Sequence, residues 1–152
     1  MDLKTAFDSD GLVIDWTLSG GSLDTDEGLQ TAVVISWFTD ARAPEGVELP
    51  EGATDRRGWW GDVVAPSNVP TDRPWTTGSL LWLLSREKQT AETARRARDY
   101  AADALAWMTS LGVALSVDVT AEWEGVGQLN LTAAITRPDG SVQTFTYLWS
   151  LK

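Results

Sequence analysis

From residue 113 onward, apolar and polar positions alternate with a period of two. Val113, Leu115, Val117, Val119, Ala121 and Trp123 interleave with Ser116, Asp118, Thr120, Glu122 and Glu124, the pattern of a strand with one buried face. Gly125-Val126-Gly127 turns the chain into a second alternating run at Leu129, Leu131, Ala133 and Ile135. Pro138-Asp139-Gly140 then supplies a hairpin turn before a third run at Phe145, Tyr147, Trp149 and Leu151. The C-terminal third is therefore predicted to be an antiparallel meander.

Ahead of it the period changes to that of a helix. Ala94, Ala97, Ala101, Ala104, Leu105, Met108 and Leu111 form a stripe at i, i+3, i+4 spacing, opened by Thr90 and Thr93 and stopped by Gly112. The run Leu80, Leu81, Trp82, Leu83, Leu84 is too continuous to be amphipathic, and the spacing predicts a short buried helix from Ser79 to Arg86. A further helix is expected from about Asp26 to Phe38, capped by Asp24 or Thr25, with Leu29, Ala32, Val33 and Trp37 on its apolar face. Residues 3–18 read as one or two short strands around an Asp8-Ser9-Asp10-Gly11 turn, closed by Gly20-Gly21. Together these elements predict an α+β fold, a single domain over 1–152, in which the meander packs against a long amphipathic helix and two shorter ones. Residues 40–77 hold five of the six prolines and no sustained period, so a long ordered loop is expected there.

Composition narrows the chemistry. The 152 residues include no cysteine and no histidine, which removes disulfides, thiolate or imidazole metal sites, and Ser-His or Cys-His nucleophile pairs. No apolar stretch approaches the ~20 residues of a membrane span, and the N-terminus lacks the pattern of a signal peptide. The net charge of −10 is uneven: residues 1–62 carry 13 acids and 4 bases (−9), residues 63–152 carry 9 acids and 8 bases (−1). That balance speaks against a phosphate-backbone binder and for basic partners. Glu122 and Glu124, two apart on one strand face, have the span of a glycosidase-like pair, so a cell-wall glycoside hydrolase is the alternative functional class; nothing in the sequence gives them the apolar pocket an acid catalyst needs. Asp24, Asp26 and Glu27 lack the spacing of a calcium loop. Neither a metal nor a cofactor is expected. Arg86, Lys88, Arg95, Arg96 and Arg98 are interleaved with acids and lack the aromatics of a single-strand binder.

Nine tryptophans stand against three phenylalanines and two tyrosines, and tryptophan is the type most enriched at interface hot spots. Two of the nine are adjacent in Asp55-Arg56-Arg57-Gly58-Trp59-Trp60-Gly61-Asp62, which combines bidentate donors, large apolar anchors and backbone freedom. Adjacent Trp59 and Trp60 cannot both enter one core from an irregular loop, so at least one is expected to cover a neighbouring element or a partner.

In this segment, and in Thr31-Ala32-Val33 through Phe38-Thr39-Asp40, GSLLWLLSREKQTAET at 78–93, Tyr100-Ala101 with Ala104-Leu105 and Trp107, and Asp139-Gly140 with Tyr147-Leu148-Trp149, the chain resembles the small baseplate wedge proteins of Mu-like contractile-tail phages. These segments run in order from about residue 29 to residue 149. The resemblance implies a non-catalytic structural subunit of a virion tail baseplate, assembled in the host cytoplasm and present in several copies. Its implied partners are the larger wedge proteins around the tail tube and the tail sheath, with no nucleic acid or membrane. Through the broader family of the GPW protein and the T-even small wedge subunit, it also implies a sheet edge that sheath strands extend. Members of that broader family often carry Glu-Pro-Arg after the tryptophan that ends the long helix; here Trp107 is followed by Met108-Thr109-Ser110, so that contact does not transfer. The residues expected to meet wedge partners are Arg56, Arg57, Trp59, Trp60 and Asp62, and those expected on the sheath side are Phe145, Tyr147 and Trp149.

Overall fold

The computed structural model describes residues 2–3, 5–8, 13–16, 18–19, 22–23, 25–26, 29–64 and 75–151. It is an α+β fold built on a three-stranded antiparallel sheet and two α-helices.

Before the first helix lie six short strands in antiparallel pairs. β1 (Asp2–Leu3) pairs with β6 (Thr25–Asp26), β2 (Thr5–Asp8) with β3 (Val13–Trp16), and β4 (Leu18–Ser19) with β5 (Ser22–Leu23). The expected turn at Ser9-Asp10-Gly11, the Gly20-Gly21 stop and the acidic positions Asp24 and Glu27 lie outside the described residues. α1 runs Gln30–Phe38, with Leu29 at its N-cap and no side-chain cap. The expected start near Asp26 is therefore corrected: Asp26 sits opposite Asp2 in a strand pair, and a long-range partner overrides the local cap signals.

α2 spans Ala91–Ser110. Thr90 caps it by accepting from the Thr93 amide at 3.0 Å, and beyond Gly112 the Val113 and Ala114 amides fold back onto the Met108 carbonyl. Thr93, Ala97, Ala101, Leu105 and Met108 are its buried side chains. The expected helix over Ser79–Arg86 is instead a single 3-10 turn, Leu81–Leu84. With three residues per turn, Leu81 and Leu84 share a face and enter the main core, while Trp82 and Leu83 form a second cluster with Ala43.

β7 (Ser116–Gly125), β8 (Gln128–Thr136) and β9 (Val142–Ser150) follow in the spatial order β7-β8-β9. The first strand begins three residues later than the alternation suggests, because Val113 and Ala114 are taken up in closing α2. Leu129, Leu131, Ala133 and Ile135 of the central strand are fully buried against α1 and α2. Ala97 and Ala101 are small enough to admit Trp37, whose indole N–H donates to the Ala101 carbonyl at 2.9 Å. Thr39–Ala41 and Ser79 are stitched by two backbone hydrogen bonds of 2.9 Å. Gly78 is required beside them: its φ is +99°, and a Cβ there would lie 2.3 Å from the Thr39 carbonyl oxygen.

Candidate interface: the 55–64 turn and the open edge of the sheet

The 55–64 turn is held to the body by its charged residues. Arg56 donates to the carbonyls of Pro44 at 2.6 Å and Val47 at 3.3 Å and pairs with Glu45 at 3.2 Å, while its own carbonyl accepts from the Ala43 amide. Arg57 adopts φ +54°, uncommon for a residue with a side chain. Its amide donates to the Asp55 carboxylate, its guanidinium lies 2.6 Å from Asp40, and the same group stacks 4.4 Å above the Trp82 ring. At the far end both carboxylate oxygens of Asp62 accept from the Thr77 amide at 3.1 Å. Arg57 thus anchors the chain ahead of the 3-10 turn, Trp60–Val63, and Asp62 anchors it from within the turn.

That anchored turn presents apolar surface outward. Trp60 is 83% exposed, Val63 88% and Val64 80%. Trp59, about half exposed, folds over Gly61, where a Cβ would fall 2.2 Å from its ring, and lies 5.5 Å from the Trp60 ring. Neither tryptophan is in the core. The arginines and Asp62 are committed to contacts within the chain, and the exposed apolar group includes Val63 and Val64, which the sequence motif did not single out. A Val-Val pair has no distinctive signature until its exposure is known.

The third strand divides its two faces by parity. Trp149 belongs to the main core, Tyr147 meets Trp37 and Phe38 edge-on at 6.2 and 5.9 Å, and Phe145 packs on the same cluster. The side chains of all three expected sheath-side residues therefore point at the helices. Their main chain is also occupied. The Arg137 amide donates to Ser141 and the Leu151 amide to Gly127, each at 2.8 Å, and the register runs between these pairs without a shift. Hydrogen-bonded pairs alternate along such a ladder, so residues 143, 145, 147 and 149 are bonded to β8. The N–H and C=O groups of Val142, Thr144, Thr146, Leu148 and Ser150 face away from the sheet, and no described strand pairs with them. None of those five residues is charged. The outer face of β7, by contrast, carries Asp118, Glu122 and Glu124, the kind of charge that guards an edge against pairing.

Glu122 and Glu124 are exposed, with Glu124 accepting from Asn130. Among the described residues no group of three acids could hold a metal ion, and no helix is long and apolar enough to cross a membrane. The cationic face of α2 is engaged with acids: Arg95 with Glu92 and Asp99, Arg98 with Asp99, Arg96 with Glu87. Glu92 is held below the usual carboxylate range, first by its hydrogen bond from Arg95.

Comparison with known proteins adds a family to this geometry. Residues 29–142 match the family described as phage protein GP46. The baseplate protein gp46 of Escherichia phage Mu is 46% identical over 143 residues, covering 90% of this chain and 93% of that protein. The Mu-like prophage FluMu protein gp46 of Haemophilus influenzae is 40% identical over 139 residues, covering 90% of each.

Proposed function

This chain belongs to the phage protein GP46 family of Mu-like phages, and from that premise we propose that it is a non-catalytic structural subunit of a contractile-tail baseplate. The observation that carries the proposal is the likeness, along nine-tenths of the chain, to a protein named as a baseplate component of phage Mu. The subunit works by assembly in the host cytoplasm, as one domain, and ends in the virion tail as several copies around the tube.

Two surfaces divide the work. The 55–64 turn docks on the larger wedge proteins, with Arg56, Arg57 and Asp62 fixing its shape and Trp59 and Trp60 supplying the contact. The outer edge of β9 takes an added strand from a tail sheath subunit. Phe145, Tyr147 and Trp149 set that strand by packing inward, and the main chain of Thr144, Thr146 and Leu148 makes the hydrogen bonds. The uncharged face of β9, set against the acidic face of β7, favours β9 as the accepting edge.

Co-expression with the larger proteins encoded beside it, followed by size-exclusion chromatography with mass determination, tests the role. A stable complex weakened by Trp60→Ala is expected. A chain that remains alone with every neighbour removes the proposal, and wall lysis abolished by Glu122→Gln replaces it with a hydrolase.

A further inference from the structure

A groove of about 470 Å³ lies between α2 and the loop segments 41–44 and 75–80, beside the base of the 55–64 turn and away from the β9 edge. That volume is within the range of ligand-holding clefts. Two of the chain's tryptophans, Trp75 and Trp107, wall it and meet edge to face at 6.5 Å. Their indole N–H groups are already satisfied, Trp107 by the Ser36 hydroxyl at 3.1 Å and Trp75 by the Thr77 hydroxyl at 3.1 Å. The rings therefore offer carbon and no unmet donor, which suits an apolar or aromatic side chain. On α2 the lining includes Tyr100, Asp103, Ala104 and Trp107, a second helical stripe beside the buried one, with the small Ala104 leaving room.

Charge decides the rest. Glu92 and Asp99, the other two carboxylates of α2, pair with arginines of their own helix; Asp103 is exposed and has no ion pair or hydrogen bond among the described residues. Arg42, which also lines the groove, leans at 3.6 Å toward Glu45, a carboxylate that Arg56 holds more closely at 3.2 Å. A carboxylate without a partner among the described residues, beside two tryptophan rings and on a chain of net charge −10, complements a cation next to an apolar group. We infer that this groove seats a segment of a partner protein carrying an aromatic residue with an arginine or lysine close by, the arginine or lysine resting on Asp103. No step of this inference needs the turn or the β9 edge.

The probe is a pair of short synthetic peptides, identical except that one carries Arg and the other Glu near a single Trp. Each is titrated into the full chain while the indole signals of Trp75 and Trp107, assigned from single Trp→Phe variants, are followed by NMR at low salt. Saturable shifts at both indoles are expected, with the Arg peptide bound about fivefold more tightly than the Glu peptide. Asp103→Asn should remove that preference without changing the thermal melt, and Ala104→Leu should block both peptides. Absence of saturable shifts, or equal affinity for the two peptides, overturns the inference. Shifts that grow with protein concentration alone and vanish in Trp60→Ala also overturn it, assigning the groove to a second copy. A chain that joins larger baseplate proteins yet fails the titration keeps its proposed role and loses only the groove.

Discussion

The sheet and the 55–64 turn reach a defined shape by opposite means. In the meander, four fully buried side chains of β8 and a register constant along β9 spread the determination over many equivalent apolar contacts. The turn has no buried residue in its 3-10 segment and relies on a few polar links, above all Arg57 to Asp40 and Trp82 and Asp62 to Thr77. Burial makes one region insensitive to what happens on its surface. Dependence on single contacts makes the other sensitive to individual residues while leaving its apolar tip free to change without cost to folding.

The largest effect separating the two regions is expected from Leu131→Ala, which should cost about 2–5 kcal/mol in chemical denaturation because β8 sits between both helices and two strands. Trp60→Ala, an even larger truncation, should change stability by less than about 0.5 kcal/mol; a loss like that of Leu131 would mean the turn is part of the core. Within β9, proline at neighbouring positions sharpens the contrast. Phe145→Pro removes an N–H from the β8 ladder and should abolish the cooperative melt, whereas Thr146→Pro removes an N–H aimed outward and should leave a folded chain that no longer accepts a strand. Equal damage from the two would place the hydrogen-bond phase the other way round. Gly78→Ala should cost about 1–3 kcal/mol, since both its φ and the nearby Thr39 carbonyl oppose a Cβ; denaturant midpoints would show it. The smallest effect lies at the β8–β9 turn. Asp139 is held below its ordinary pKa by hydrogen bonds from the Ser141 hydroxyl and amide. Its contribution is thus present above about pH 4 and lost as pH falls through the depressed value, and an NMR titration of the Ser141 amide should follow it.

Much of the meander is legible in the sequence because a period of two is a local signal, and Leu129, Leu131, Ala133 and Ile135 carry it without interruption. The face of Phe145, Tyr147 and Trp149 follows from the same signal. Which of their neighbours offers free main-chain groups does not, since that depends on the phase of pairing with β8. The start of α1 is misplaced for a related reason: Asp24, Thr25 and the acids beside them are good local cap signals, but the pairing of Thr25–Asp26 with Asp2–Leu3 is a contact more than twenty positions away in the chain. The run LWLL at 81–84 announces burial correctly and helix type incorrectly, because its side chains divide between two clusters instead of sharing one face. Of the candidate turn, the motif discloses Trp59, Trp60 and both arginines. The link from Asp62 to Thr77 spans 15 positions and leaves no trace in sequence.

The parity of β9 also bears on the chain before it meets any partner. Main-chain groups do not discriminate between strands, so an edge with free main-chain groups is open as well to the same edge of another copy, a two-fold pairing that would cover both β9 edges. The net charge of −10 opposes that encounter at a distance, and added salt weakens the opposition. Colloidal stability and the adhesiveness of free main-chain groups are thus set by different parts of the chain. The acids concentrated in residues 1–62 help keep free copies apart without placing a single charge on β9.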